Sequence, residues 1–311
     1  MIEAVRTLVA GSWLEAAKAH ARAAPATTIG LAAAILFVLL LLVQSISRIA
    51  SGEIADAFLL AIIGGTAGFV ATTIGALPAL GLRSIPQKLE DSMLGMAAGM
   101  MLAASAFSLI LPGLEAGERI LGSGGLAAGT VVFGMALGVL LMLGLDQFIP
   151  HEHPETGPCG PGYERCNRVW LFVLAIALHN LPEGMAIGVS FAETDMSVGV
   201  PLTTAIALQD IPEGLAVALA LRGAGLTNLQ AVLVAAASGL LEPLGALLGV
   251  GLSSGMAIAY PVGLGLAAGA MLFVVSHEVI PETHRNGHQT AATIGLMIGF
   301  AVMMTLDTTL G

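Results

Sequence analysis

The segment AIALHNLPEGMAIGV (residues 175–189) returns thirty residues later as AIALQDIPEGLAVAL (residues 205–219), with eight of the fifteen positions identical. Each copy lies near the middle of a long apolar run. Consecutive membrane-spanning helices run in opposite directions, so the two copies form an inverted repeat. Inverted repeats with interrupted helices place polar sites at the midplane of the bilayer in many secondary transporters. The repeat therefore predicts a polar site inside a membrane-embedded bundle.

The composition around this repeat excludes an ordinary water-soluble domain. Of the 311 residues, 56% are hydrophobic and only 10% are charged, whereas soluble domains carry about 25% charged residues. A formal net charge of −10 argues against a nucleic-acid partner, because such a partner requires a basic surface. The two cysteines, Cys159 and Cys166, lie in one loop and cannot form a disulfide framework. The predicted partner is the lipid bilayer.

The charged residues divide the chain into apolar stretches, and a spanning helix needs about 20 such residues. We predict helices and no spanning strands, because no stretch alternates with a period of two. The nine expected helices lie at residues 28–47, 57–82, 93–112, 124–149, 168–191, 198–221, 227–251, 255–279 and 289–310. The predicted fold is an all-α polytopic membrane protein, a helix bundle with an inverted repeat and proline-broken central helices.

Lysine and arginine are distributed unequally between the two ends of these helices. Nine fall on the side that carries the N-terminus and two on the other side. By the positive-inside rule, this predicts a cytoplasmic N-terminus and an external C-terminus in the inner membrane. Residues 1–56 are expected to be a cytoplasmic segment plus an additional, uncleaved transmembrane helix. Residues 57–311 are expected to form an eight-helix transport domain with a cytoplasmic metal-binding loop at 150–168.

The polar residues of the repeat have helical spacing. His179 and Glu183 are four residues apart, hence about 6 Å apart along one helix face. The second copy repeats this arrangement, and the following span adds another carboxylate beside a proline. Pro182 and Pro212 cannot donate to the carbonyls four residues before them, which frees those oxygens for a cation or water. The candidate metal ligands are His179, Asn180, Glu183, Gln209, Asp210, Glu213 and Glu242.

Four of these candidates are acids in apolar stretches, residues 169–192, 196–221 and 223–276, that contain no lysine or arginine. A charged side chain at the bilayer centre costs at least about 2.5–3.5 kcal/mol, so four acids require compensation. A divalent cation neutralises carboxylates while their oxygens replace its hydration shell. Imidazole combined with carboxylate suits Zn(II) and its first-row neighbours. If Glu183 and Glu213 face each other, one of them can bridge two metals. The alternative, protonated acids with a structural role, is disfavoured by their number.

The segments HNLPEG (residues 179–184) and QDIPEG (residues 209–214), in adjacent helices, resemble those of the ZIP (Zrt/Irt-like) metal transporters, bacterial branch. The likeness covers the eight helices from about residue 57 onwards. It implies that the seven candidate ligands line a metal site, with two metals expected. It further implies that four helices carrying the site slide against a scaffold bundle in a homodimer. The chain departs from many eukaryotic members at Gln209, where they carry histidine, and in the additional helix at 28–47.

The loop after the fourth helix and the end of the eighth contain further candidate ligands. His151 and His153 belong to a short His-acid tract in the cytoplasmic loop, which is able to receive a metal leaving the membrane. The alternative is a solvated loop. His277 and Glu278, at the cytoplasmic end of the eighth span, are candidates for an exit or regulatory site, or else ordinary interfacial residues.

Two candidates lie elsewhere on the expected route. Asp307 is near the outer end of the last helix, in an acidic face that raises the local cation concentration. Met101 lies near the middle of the third helix, where methionine usually packs, but its thioether also suits softer ions.

These observations predict a transporter rather than an enzyme. Its expected cargo is Zn(II), with Cd, Fe or Mn as alternatives, carried from outside into the cytoplasm by alternating access. The rival hypothesis is an intramembrane zinc-dependent hydrolase, but the H-E-x-x-H signature is absent and prolines beside the ligands favour passage over rigid chemistry. A metal-sensing receptor would need an output domain, and no soluble segment is long enough.

Overall fold

The computed structural model describes residues 15–153, 157–161, 163 and 168–311. Within these residues nine helices are long and apolar enough to cross a membrane, as predicted. They are α1 (Pro25–Ala50), α2 (Ala55–Leu80), α3 (Gln87–Leu121), α4 (Gly124–Phe148), α5 (Val169–Ser190), α6 (Met196–Gly223), α7 (Asn228–Ser253), α8 (Ala259–His284) and α9 (Gln289–Leu310). Large apolar side chains face outward along these helices, where lipid takes the place of water.

Three of the helices are interrupted. In α3 and α8 a single π-helical segment, Ser105–Ile110 or Val275–Val279, is followed two residues later by a proline. In α7 the turn at 239–240 separates Asn228–Ser238 from Leu241–Ser253. The prolines of the two repeated segments lie inside helices that continue through them. Among the helices that carry Glu183, Asp210, Glu213 and Glu242, the break is therefore in α7, just before Glu242.

A short β-hairpin connects α4 to α5. β1 (His151–His153) and β2 (Gly157–Cys159) are antiparallel, with His151 opposite Cys159. This hairpin lies outside the spans and adds a small sheet to the all-helical prediction. The end of the bundle that carries it is called the hairpin face below, and the other end the opposite face.

Glycines hold the spans together as parallel pairs. The pairs are α2 with α6, α5 with α7, α3 with α9, and α4 with α8. A Cβ atom on Gly99 of α3 would lie 1.9 Å from the Leu296 carbonyl oxygen of α9, and one on Gly188 of α5 would lie 1.9 Å from that of Ala246 in α7. Only a hydrogen side chain permits this approach, which is the usual basis of helix association in lipid.

The inverted repeat extends beyond the two segments that first indicate it. The sequence LGMAAG (residues 94–99) in α3 returns as LGLAAG (residues 264–269) in α8, and both copies contact the partner helix of their pair. Gly134 and Gly138 of α4 correspond in the same way to Gly295 and Gly299 of α9. Helices α2–α4 and α7–α9 are thus two copies of one unit, and α5 corresponds to α6.

The additional helix α1 packs on the outside of this symmetric bundle. It contacts α4 and the second half of α7. At its end, Arg48 Nη1 donates to the carbonyl oxygens of Ser254 (2.6 Å) and Gly255 (3.2 Å) in the α7–α8 connection. Helix α1 therefore contacts one helix from each of two different pairs.

Candidate metal site

The repeated segments of α5 and α6 bring three carboxylates together in the interior. Oxygen atoms of Glu183, Asp210 and Glu213 all lie within 4.8 Å of one another, the separation expected of ligands that share an ion. Glu183 and Asp210 are each 2% exposed. Because α5 and α6 are related by the inverted repeat, their Pro-Glu-Gly segments (residues 182–184 and 212–214) place Glu183 and Glu213 at the same depth.

Gln209 is attached to this cluster by a hydrogen bond. Its Nε2 donates to Glu183 Oε1 at 2.6 Å, and the side chain is fully buried. Its Oε1 has no hydrogen-bond partner in the described part of the chain. Gln209 thus orients Glu183 and retains an amide oxygen for a cation.

Glu242 joins the cluster from α7. Thr72 Oγ1 of α2 donates to Glu242 Oε1 at 2.7 Å, and both side chains are buried. Glu242 Oε2 and Asp210 Oδ2 find no hydrogen-bond donor among the described residues. Both oxygens lie beside Gly68, whose hypothetical Cβ would be 1.7 Å from the first and 3.1 Å from the second. Two buried oxygens without donors, facing a gap left by glycine, are suited to a cation.

His179 contacts a carboxylate of a third helix and shares a cavity with Glu213. Its Nε2 lies 3.0 Å from Glu278 Oε2 of α8. Asn180, the next residue, is buried on α5. His179 therefore lies between the carboxylate cluster and Glu278, on the side of the hairpin face.

A cavity of about 260 Å³ leads from the cluster to the hairpin face. Glu213, His179 and Glu278 line its inner part. Glu90, Glu282 and Arg285 line its outer part, where Arg285 and Glu282 form an ion pair. On the other side of the cluster, Ile187, Ile206 and Met101 belong to a buried apolar core. The carboxylates are thus accessible from the hairpin face and shielded from the opposite face.

A second group of metal-ligating side chains lies at the hairpin face. Ligand atoms of Asp146, His151 and Glu278 are within 4.8 Å of one another. His151 Nε2 lies 3.1 Å from Asp146 Oδ1, His277 Nε2 lies 3.9 Å from Asp146 Oδ2, and Cys159 Sγ lies 3.5 Å from His151 Nε2. The side chain of His153, and Cys166 entirely, lie outside the described residues.

The surroundings of His151 favour its protonated form. Burial opposes the charge, but the hydrogen bonds to Asp146, to Cys159 and to the backbone of Ile149 outweigh that opposition and raise the pKa of His151 to about 10. A proton and a metal ion would therefore compete for this imidazole.

Asp146 is the functional candidate that the sequence analysis missed. It lies inside the fourth helix predicted at 124–149 and is not among the candidate ligands named from the sequence. The signal that identifies it is a second repeat: GMALGVLLMLGLD (residues 134–146) aligns with GLMIGFAVMMTLD (residues 295–307), ending on Asp146 and Asp307. The two aspartates thus occupy equivalent positions at the two faces.

Asp307 and Met101 lie apart from the central cluster. Asp307 accepts a hydrogen bond from Ser108 Oγ at 2.7 Å and lines a cavity of about 290 Å³ at the opposite face, together with Glu115 and Asp195. Met101 is 2% exposed and packs in the apolar core.

Charge compensation indicates what the central cluster can do. The helices that carry Glu183, Asp210, Glu213 and Glu242 contain no lysine or arginine between residues 169 and 221 or between 223 and 284. Three buried carboxylates and the half-buried Glu213 therefore have no lysine or arginine on their own helical segments, and a divalent ion is able to supply the missing charge. Carboxylate oxygens with a nearby imidazole form a donor set that suits zinc.

Comparisons with known proteins find that the chain is similar to zinc transporters. The family described as ZIP Zinc transporter matches residues 153–307. The chain is 65% identical over 301 residues to the zinc transporter ZIPB of Bordetella bronchiseptica, an alignment that covers 97% of this chain and 96% of that protein. It is 42% identical over 241 residues to the zinc transporter GufA of Myxococcus xanthus (78% and 95% covered), and 30% identical over 324 residues to human zinc transporter ZIP11 (77% and 94% covered).

Proposed function

The chain belongs to the ZIP family of zinc transporters, and from this premise we propose that it carries Zn(II) from outside into the cytoplasm through the carboxylate cluster of α5, α6 and α7. It is a multi-pass membrane protein and a transporter, not an enzyme. We assign it to the inner membrane, with the hairpin face in the cytoplasm. That orientation is supported by the lysines and arginines among the described residues, of which seven lie on the hairpin side and two on the other. Cd, Fe and Mn ions are further candidate cargoes.

The observation that carries the proposal is the clustering of Glu183, Asp210 and Glu213, with oxygens within 4.8 Å of one another, in a stretch (residues 169–221) that contains no lysine or arginine. Glu242 adds a fourth carboxylate, and Gln209 and Asn180 supply amide groups. Oxygens of this number can hold two ions, with Glu183 and Glu213 as bridging ligands. We therefore propose a binuclear site.

Transport needs this site to face the two sides in turn. In the present state the cavity reaches the hairpin face, which makes it inward-facing in the proposed orientation. The four helices that contain the site, α2, α5, α6 and α7, form two of the glycine-packed pairs, and α3, α4, α8 and α9 form the other two. We propose that the first four move as a unit against the second four, within a homodimer as the family resemblance implies.

The release route follows from the same geometry. His179 lies 3.0 Å from Glu278, and Glu278 belongs to the hairpin-face group with Asp146 and His151. An ion leaving Glu213 therefore meets imidazole and carboxylate ligands in sequence, each position closer to the cytoplasm. At the other face, Asp307 is the candidate first contact for an arriving ion, and Met101 remains a candidate ligand on the way to the site.

Zinc flux into sealed liposomes that contain a fluorescent zinc reporter tests the proposal. Glu183→Gln and Glu213→Gln keep the side-chain shape but remove the charge, so each is expected to lower the initial flux at least tenfold. Glu118→Gln makes the same chemical change on an exposed residue and is expected to leave the flux unchanged. Normal flux in both site variants would refute the site, and no flux in wild-type liposomes would refute the proposed function.

A further inference from the structure

Thr72 and Glu242 occupy equivalent positions in the two halves of the inverted repeat. The tripeptide Gly-Ala-Leu occurs at 75–77 in α2 and at 245–247 in α7. Three residues before the first copy stands Thr72, and three residues before the second stands Glu242. The first half of the bundle therefore carries a hydroxyl where the second half carries a metal-ligating carboxylate.

The packing of the helices agrees with this correspondence. The carbonyl oxygen of Thr72 lies 2.3 Å from the Cβ position of Gly214 in α6, and that of Glu242 lies 2.2 Å from the Cβ position of Gly184 in α5. Gly184 and Gly214 are themselves equivalent, since each is the last residue of a Pro-Glu-Gly segment. Both backbones are thus held against the site by the same contact, and the pseudo-twofold relation brings the two side chains face to face.

The contact between them is a direct hydrogen bond in a buried setting. Thr72 Oγ1 donates to Glu242 Oε1 at 2.7 Å, with the two residues 4% and 0% exposed. The hydroxyl also lies 3.3 Å from the Gly68 carbonyl oxygen one turn earlier in α2. A buried O–H bond to a carboxylate oxygen fixes the rotation of the carboxylate as well as its position.

Fixing Oε1 determines where the other oxygen points. Glu242 Oε2 and Asp210 Oδ2 both lie beside Gly68, in the space that a methyl group there would fill. Without the bond to Thr72, Glu242 could turn this oxygen away from Asp210. We propose that Thr72 is a positioning residue of the metal site, whose hydroxyl holds the Glu242 carboxylate so that Oε2 and Asp210 Oδ2 face the same ion. The inference rests on the proposed function, since it concerns the same site.

The test measures zinc bound to the purified full-length chain by equilibrium dialysis, over a range of free zinc, alongside flux. Thr72→Val removes the hydroxyl at nearly constant shape and is expected to weaken zinc binding by about 10–100-fold, as losses of ligand-orienting hydrogen bonds do. Thr72→Ser keeps the hydroxyl and is expected to restore affinity close to the wild-type value. If the valine variant does not fold, Thr72→Ala removes the same group without adding bulk.

A double-mutant cycle separates positioning from a general packing effect. In a Glu242→Ala background the hydroxyl has no carboxylate to orient, so Thr72→Val should cause no further loss. An unchanged affinity in Thr72→Val, an equal loss in Thr72→Ser, or an undiminished loss in the Glu242→Ala background would each overturn the inference. By contrast, a wild-type protein that neither binds nor moves zinc would overturn the proposed function itself.

Discussion

Replacing Gly68 by alanine tests whether the space between the α2 backbone and the carboxylates belongs to the cargo. The added methyl carbon would lie 1.7 Å from Glu242 Oε2 and 3.1 Å from Asp210 Oδ2. Cβ atoms essentially never approach other atoms within 3.0 Å, so Glu242 Oε2 must withdraw by about 1.3 Å. Because that atom ends a flexible side chain, the helices need not separate, and the fold should survive. Metal ligands, however, tolerate only about ±0.2 Å.

We therefore expect Gly68→Ala to lower zinc affinity and initial flux by about 10–100-fold, the range found when ligands are misoriented. The melting temperature of the purified protein should stay close to that of the wild type. Gly81→Ala is the matched control, because no atom lies within 4 Å of the Cβ position of Gly81 at the end of α2. Wild-type flux in Gly68→Ala would refute the reasoning, as would an equal loss in Gly81→Ala.

Two further predictions concern stability. Gly99→Ala puts a methyl group 1.9 Å from the backbone oxygen of Leu296, so α3 and α9 must move apart. We expect the melting temperature of this variant to be several degrees lower than that of the wild type. Gly129→Ala is the control and should not lower the melting temperature, because no atom lies within 4 Å of the Cβ position of Gly129. Zinc that binds only the folded state adds about 2.7 kcal/mol of stability at a concentration of 100 Kd, so the wild-type melting temperature should rise with zinc and that of Glu183→Gln should rise much less. An equal rise in both would contradict the assignment of Glu183 as a ligand.

The spans were predictable because hydrophobicity sets their number and approximate limits. The third helix shows where the prediction fails: it was placed at 93–112, but α3 runs from Gln87 to Leu121. Its ends carry Glu90, Asp91, Glu115 and Arg119, so a prediction based on the length of uncharged stretches made the helix too short. A helix need not end where its hydrophobic segment ends, because the backbone of charged residues at the interface forms the same i→i−4 hydrogen bonds.

The interruptions were less predictable. Pro182 and Pro212 suggested broken helices, but α5 and α6 continue through both prolines, whereas α7 breaks at 239–240. The π-helical segments of α3 and α8 depend on how these helices pack and have no signal in hydrophobicity. Local sequence indicates where a backbone hydrogen bond is lost, and tertiary packing decides whether the helix breaks there.

Helical spacing predicted the carboxylates of the site but not the orientation of every ligand. Spacing places His179 and Glu183 on one face, yet the imidazole contacts Glu278 on another helix. Thr72 gave no signal, since a threonine in an apolar helix usually bonds only to its own backbone. Asp146 became recognisable only through its alignment with Asp307. Rotamers and contacts between distant helices lie beyond what a periodic pattern specifies.

The repetition of α2–α4 as α7–α9 has an energetic consequence. A bundle made of two identical, oppositely directed halves would be equally stable with its centre open to either side, because a twofold rotation would convert the contacts of one arrangement into those of the other. A preference for one arrangement would then come from the additional helix α1, which has no counterpart, and from positions at which the halves differ, such as Thr72 against Glu242. A few side-chain exchanges at such positions could reset that preference while leaving the glycine-packed framework untouched.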